Sequence, residues 1–217
     1  MLIVGRFVAI ASFSLSILPE YVREQPLNHL TKHPYTPPMQ QDIRHILLDR
    51  HAIQARVAAL ARQIALDYGP REFLLMPLLT GSIIFVADLV RHLPVRMKID
   101  VLAVSSYRGR AAPRHAPRVL YPTTFDVAAK HVLVIDDILD SGTTLKTVTD
   151  LLRAQNAASV KACVLLKKNL PTPPAMSADY VGFDIPDEFV VGYGLDFNGY
   201  YRNLPDIAIL HKHVLEA

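Results

Sequence analysis

The sequence predicts an α/β fold with an open, mostly parallel sheet flanked by helices, and three observations lead there. Short uninterrupted apolar runs recur along the chain, helical spacings separate them, and the composition is ordinary: 217 residues, 51% hydrophobic and 20% charged. Strands that are apolar on both faces belong to parallel sheets covered by helices on either side. A chain of this length buries a sizeable core as one main domain. The composition excludes disorder over most of the length and any collagen-like or mucin-like repeat.

The elements follow in order from about Gln41. Ile43, Ile46 and Leu47 precede Ile53, Val57, Leu60 and Ile64, and the last four are spaced as one face of an amphipathic helix. Gly69-Pro70 breaks that helix. Phe73 to Leu79 reads as a buried strand, although Pro77 is unusual in one. Gly81-Ser82 opens a helical stretch reaching about Leu93. Ile99–Val104, Val132–Ile135 and Val160–Leu166 are further strand candidates, and Leu145, Val148, Leu151 and Leu152 mark a helix face between the last two.

Ahead of these elements, Arg6 precedes an apolar run from Phe7 to Leu18 that contains no charge. The run is shorter than the roughly 20 residues a membrane span needs. It has the look of a signal-peptide core, but Ser12, Ser14 and Ser16 dilute it, and no small-x-small cleavage pattern precedes Pro19. Pro26, Pro34, Pro37 and Pro38 follow with little periodicity. Residues 1–38 are expected to be a poorly ordered N-terminal extension, the other reading being a short helix docked on the domain, and 39–217 the functional domain. No membrane association is expected.

A single cysteine excludes a disulfide framework and suits a reducing, cytoplasmic setting; Cys163 lies in an apolar strand and reads as core. The net charge of +3 suits a protein handling phosphates and is too small to indicate nucleic-acid binding by itself. His211 and His213 read as a solvated tail, and the other histidines show no zinc-ligand spacing. Neither a dinucleotide Gly-rich fingerprint nor a Walker A sequence is present.

The segment Val132 to Thr144, Val-Leu-Val-Ile-Asp-Asp-Ile-Leu-Asp-Ser-Gly-Thr-Thr, carries the chemistry. A buried strand delivers Asp136 and Asp137 to its C-terminal end, where open α/β sheets place their ligands. Asp140, Ser141, Gly142, Thr143 and Thr144 turn into the next helix, whose first backbone N–H groups, with Gly permitting close approach, make a phosphate cradle. Two acids beside a phosphate would repel it unless they face hydroxyls or a divalent cation. A ribose phosphate meets that condition. The bland alternative is a solvated turn in which Asp or Ser merely caps the helix.

This segment resembles the phosphoribosyl pyrophosphate (PRPP) motif of type I phosphoribosyltransferases. Ser106-Tyr107 is similar to the start of the flexible lid of hypoxanthine-guanine phosphoribosyltransferases. Asp179 to Asp196 and Tyr201-Arg202-Asn203-Leu204-Pro205 are similar to that family's base-binding region. The resemblance covers roughly residues 41–210, with its blocks in the family's order. It implies the type I phosphoribosyltransferase fold, a small hood from the C-terminal region and a lid over 105–130. It also implies transfer of the phosphoribosyl group of PRPP to N9 of a 6-oxopurine, with Mg²⁺ as cofactor and a homodimer or homotetramer as assembly.

Carried over by position, the resemblance makes Asp140 the general acid or base at the purine N7. Asp136 and Asp137 hold the ribose hydroxyls near Mg²⁺, and Ser141, Gly142, Thr143 and Thr144 bind the 5′-phosphate. Lys168 reads the purine O6, Phe189 stacks on the ring and the Val190 carbonyl accepts from its edge. Asp196 matches a ligand of the second Mg²⁺, and Arg202 a pyrophosphate contact. There is one departure: Leu78-Leu79-Thr80-Gly81 stands where the family's pyrophosphate loop reads Leu-Lys-Gly, so Thr80 replaces a lysine. Arg108, Arg110, Arg114 and Arg118 in the lid are open to three readings: solvated charges, phosphate steering or an RNA contact. The runner-up for the whole chain is a PRPP-sensing regulator that binds RNA or a protein partner without catalysis. The complete purine pocket weighs against it.

Overall fold

The computed structural model describes residues 38–105, 118–119 and 125–216. The expected N-terminal extension lies almost wholly outside the described residues, as do Ser106, Tyr107 and most of the expected lid. The chain divides between Gln40 and Gln41, and the site lies wholly in the second unit.

A short helix α1 (Pro38–Asp42) precedes β1 (Ile43–Leu48), α2 (Arg50–Tyr68), β2 (Phe73–Leu79), α3 (Ile83–Arg91), β3 (Met97–Ile99), β4 (Leu102–Ser105) and β5 (Arg118–Val119). Then come β6 (His131–Leu139), α4 (Thr143–Ala154), β7 (Ser159–Lys168), β8 (Tyr180–Ile185), β9 (Val190–Val191), β10 (Ile207–Leu210) and α5 (Lys212–Glu216).

The main sheet runs β5-β4-β2-β6-β7-β8, with β3 also pairing β2, and every pair except β4–β5 is parallel. The burial of β2 (Phe73–Leu78) and β6 (Val132–Ile135) is unbroken, as expected of strands covered on both faces. One apolar cluster packs Ile53, Val57, Leu60 and Ile64 of α2, with Phe85 and Leu89 of α3, on Leu75, Leu133, Ile135 and Cys163. The other packs Leu145, Val148 and Leu152 of α4 on Leu74, Met76, Val134 and Val164. Alternation along β2 and β6 thus sends successive side chains to opposite layers. Burial pushes the Cys163 thiol pKa up, in keeping with a core residue. Among the described residues, no helix is long and apolar enough to cross a membrane.

Two strand expectations are adjusted. The strand expected over Val132–Ile135 continues to Leu139, because β7 keeps pairing with it through Asp136–Val164, Ile138–Leu166 and Leu139–Lys167. Asp136 and Asp137 therefore lie within the strand, and Asp140 follows it. The strand expected over Ile99–Val104 is two strands on one edge of β2, broken at Asp100. That carboxylate is 6% exposed and accepts from the Val101 and Phe125 backbone N–H groups at 3.0 and 3.1 Å, which competes with the ladder. Pro77 falls between the stretches of β2 paired with β3 and β4, where that edge has no partner strand.

The hood is also larger than its C-terminal portion. It is a separate antiparallel sheet, β1-β10-β9, in which Ile43 faces Leu210 and Leu48 faces Ile207 across two register shifts. The residues Ile43, Ile46 and Leu47 that precede α2 thus belong to a strand.

Candidate active site

The turn Asp140–Thr144 joins the end of β6 to the start of α4. Gly142 is the N-cap of α4 with φ 74°, the left-handed region that glycine enters without a Cβ penalty. A Cβ there would lie 3.0 Å from the Met176 backbone N and O, so the 175–176 segment packs tightly under the turn. The Ala175 N–H donates to the Ser141 carbonyl at 2.8 Å and fixes that packing. The glycine cap itself brings no side chain to the first-turn N–H groups, and the Thr143 N–H donates to Ser141 Oγ at 3.4 Å. Ser141 Oγ and Thr143 Oγ1 are 3.1 Å apart; both residues are exposed, as is Asp140.

The two acids of β6 have different surroundings. Asp137 is 6% exposed, and its Oδ1 accepts from the Ile138 N–H at 2.8 Å. Its other oxygen faces Gly81 so closely that a Cβ on that glycine would sit 1.7 Å from Oδ2. Asp136 is partly exposed and accepts from the Asp137 N–H at 3.0 Å. Asp136 is therefore the more accessible of the pair.

The loop after β2 is pinned from both sides. Ser82 is fully buried, and its Oγ donates to the Leu78 carbonyl at 2.6 Å, while the Thr80 carbonyl accepts from Ile83 at 3.2 Å. The Leu79–Thr80 peptide is cis, and Thr80 is exposed. Opposite Asp137, the Gly81 carbonyl abuts Gly194 (φ 103°), where a Cβ would come within 2.2 Å of it. Gly194 accepts from Arg202 Nη1 at 2.6 Å, and Arg202 Nη2 pairs with Asp196 Oδ1 at 2.8 Å. The second Asp196 oxygen accepts from the Gly199 N–H at 2.8 Å. Arg202 and Asp196, predicted separately, thus form one unit against the loop.

Tyr193, between Gly192 and Gly194, completes the support. Its hydroxyl donates to Asp88 Oδ2 of α3 at 2.7 Å, and burial, aided by that bond, raises its pKa. A cavity of about 380 Å³ borders Tyr193 and Arg202, with Ile84, Asp88 and Arg50 in its wall. Arg50 is tied to Asp206 at 2.9 Å, and this guanidinium, by hydrogen bonding first, holds the Asp206 carboxyl below the usual range.

Lys168 ends β7, and Leu139–Lys167 is the last registered pair of β6 and β7, with Asp140 just past the end of β6. Lys168 Nζ donates to Asp187 Oδ1 at 2.9 Å. Phe189 is 39% exposed and meets Phe197 edge-on, ring centroids 5.7 Å apart, whereas Val190 is 4% exposed. Sequence reasoning missed Tyr193, Gly194, Asp88 and Asp187. The Gly-Tyr-Gly run was a usable signal for a close backbone approach; the two acids carried none.

A parallel sheet with a phosphate turn, two strand acids and a separate hood defines a phosphoribosyl-transfer domain, and the family model of the phosphoribosyl transferase domain matches residues 44–198. The chain is 39% identical over 176 residues to the hypoxanthine-guanine phosphoribosyltransferase of Streptococcus pneumoniae, covering 81% of this chain and 98% of that protein. It is 38% identical over 181 residues to that of Mycobacterium tuberculosis, covering 81% and 90%. A crystal structure of the Staphylococcus aureus hypoxanthine phosphoribosyltransferase superimposes with a TM-score of 0.77 at 37% identity, covering 83% of this chain and 98% of that one. The chain belongs to the hypoxanthine-guanine phosphoribosyltransferase family.

Proposed function

We propose that the protein is a purine-salvage enzyme that transfers the 5-phosphoribosyl group of PRPP to N9 of a 6-oxopurine, releasing pyrophosphate. Hypoxanthine is the reference substrate, with guanine and xanthine in the same class, and the products are the corresponding nucleoside monophosphates, IMP and GMP for the first two. What supports this reading is the register of β6 and β7 up to Leu139–Lys167, after which Asp140 follows one strand and Lys168 ends its neighbour. On a 6-oxopurine, N7 and O6 lie side by side on one edge. A carboxyl for N7 just past one strand and an ammonium for O6 at the end of the next, in strands about 4.8 Å apart, would suit that edge.

The residues divide the work as follows. The turn Ser141–Thr144 grips the 5′-phosphate through helix-start N–H groups and hydroxyls. Asp136 takes the ribose hydroxyls, while Asp137 contributes mainly by supporting Gly81. Thr80, Gly81 and Arg202 face the pyrophosphate, where the guanidinium fork suits phosphate oxygens. Phe189 offers the ring a partly exposed apolar face and Val190 its carbonyl. Asp140 manages the proton at N7 as N9 bonds to C1′ and the pyrophosphate bond breaks. Residues 105–130, opened by Ser106 and Tyr107, act as the lid that excludes water.

Mg²⁺ fits this donor set. Among the described residues no three His, Cys, Asp or Glu gather to hold a metal. That suits an ion which keeps several waters and takes one or two carboxylates plus substrate phosphate oxygens. Asp196 would hold one ion, and Asp136 and Asp137 would lie near the other. When bound, Mg²⁺ neutralises charge on the departing pyrophosphate. We read residues 39–217 as the catalytic domain, 1–38 as an extension, the location as cytoplasmic and the assembly as a homodimer or homotetramer.

The test is a spectrophotometric assay with hypoxanthine, PRPP and Mg²⁺. Turnover by the natural chain, reduced about 10²-fold or more in kcat by Asp140→Asn with PRPP affinity kept, is the expected result. No turnover on any 6-oxopurine, together with RNA binding that weakens steeply with salt, would instead identify a regulator.

A further inference from the structure

The Lys168 ammonium already has a partner on the protein. Its Nζ donates to Asp187 Oδ1 at 2.9 Å, and the lysine side chain is only 14% exposed. In the β7–β8 ladder Lys168 faces Ile185, and Asp187 lies two residues beyond β8 in the turn to Phe189. The Glu188 N–H donates back to the Pro186 carbonyl at 2.8 Å, which tightens that turn before it delivers Phe189 and Val190. One carboxylate therefore joins the strand end carrying the lysine to the turn carrying the aromatic face.

Lys167 provides the contrast. It pairs at 2.7 Å with Asp184, directly opposite in the ladder, and both side chains are well exposed. Such pairs contribute little. The Lys168–Asp187 pair is more enclosed on the lysine side and bridges two segments that meet at the base site.

We propose that Asp187 is a specificity-determining positioning residue: it holds the Lys168 ammonium so that a remaining N–H meets an oxygen at purine C6. The inference rests on the reading of Lys168 as the O6 contact. An ammonium carries three donors and no acceptor. With one donor committed to Asp187, the rest take set directions, and the long side chain loses less freedom when the base binds. An oxo group completes the donor set, whereas an amino group sets N–H against N–H. Asp187 acts through the lysine, so its removal weakens 6-oxo recognition selectively.

The experiment is calorimetric titration of the full chain, and of Asp187→Ala and Asp187→Asn, with IMP and with AMP. These nucleotides share the ribose phosphate and differ at C6. In Asp187→Ala, IMP binding weakens roughly tenfold while AMP stays within about twofold; Asp187→Asn, whose amide oxygen still accepts, loses less. Equal loss of both nucleotides would make Asp187 a mere support of the Phe189 turn, and unchanged IMP binding would make the anchor irrelevant; either overturns the proposal. Lys168→Met in the same titrations separates the two levels. If it weakens IMP alone while Asp187→Ala does not, the proposal falls and the O6 reading stands. If it leaves IMP unmoved, both fall.

Discussion

Gly81 has no room for a side chain because the Asp137 carboxylate occupies that space, with Oδ2 only 1.7 Å from where a Cβ would be. On its other side the Gly81 carbonyl sits 2.2 Å from the corresponding position of Gly194. The loop after β2, the end of β6 and the Gly192–Gly194 segment thus meet at one residue. That loop is set by the Asp137 side chain on one face and by backbone contact with Gly194 on the other.

Gly81→Ala should therefore damage the site far more than the fold. The methyl must push either the loop or Asp137 aside, and displacements near 1 Å in a reaction site cost about two orders of magnitude in rate. Steady-state kinetics should show kcat/KM for PRPP falling by about that factor, with the far-UV circular dichroism spectrum unchanged.

Thr80→Lys should have a small effect. Thr80 is exposed, so the longer side chain fits, and the contacts that hold the loop involve Gly81 and Ser82. The apparent PRPP affinity is expected to change by less than about tenfold, or 1.4 kcal/mol. A larger gain, read from KM at fixed Mg²⁺, would mean that the missing cation limits the natural chain.

Tyr193→Phe removes the hydroxyl that ties α3 to the Gly192–Gly194 segment through Asp88. Loss of one such bond costs about 1 kcal/mol, which lowers Tm by roughly 2–4 °C in a chain of this size. Because α3 begins just after the Gly81 loop, KM for PRPP should rise while KM for the purine stays put.

Alkaline stability should report Tyr201. Burial, followed by its 2.8 Å bond to Asp42, pushes this phenol from 10.0 up to about 12. The folded state then holds a proton that the unfolded chain releases. Its stabilisation is complete below pH 10 and is lost as pH climbs through about 12. Tyr68, Tyr180 and Tyr193 are raised as well. Chemical denaturation at stepped pH should show stability declining above pH 10. In Tyr201→Phe that decline should be shallower by up to about 1.4 kcal/mol per pH unit.

What could be read from the sequence was local. The apolar runs of β2, β6 and β7 announce a parallel sheet because both faces are covered, and the Asp-Ser-Gly-Thr-Thr segment announces a turn between strand and helix because its residues are neighbours in the chain. What could not be read depends on distant partners. The strand β1 has no fully buried residue and is irregularly paired, so no period-2 pattern marks it. The break at Asp100 follows from a side chain bonding to Phe125, and the restraint on Lys168 from an acid nineteen positions later. Asp196 and Arg202 were each legible through family resemblance, but their mutual ion pair was not.

The hood has a consequence for the order of folding. Its first strand, Ile43–Leu48, finds its ladder only in Ile207–Leu210. During synthesis the parallel layer can assemble while the roof is still a single orphan segment. The hood therefore depends on pairing between segments far apart in the chain, a slow kind of contact to close.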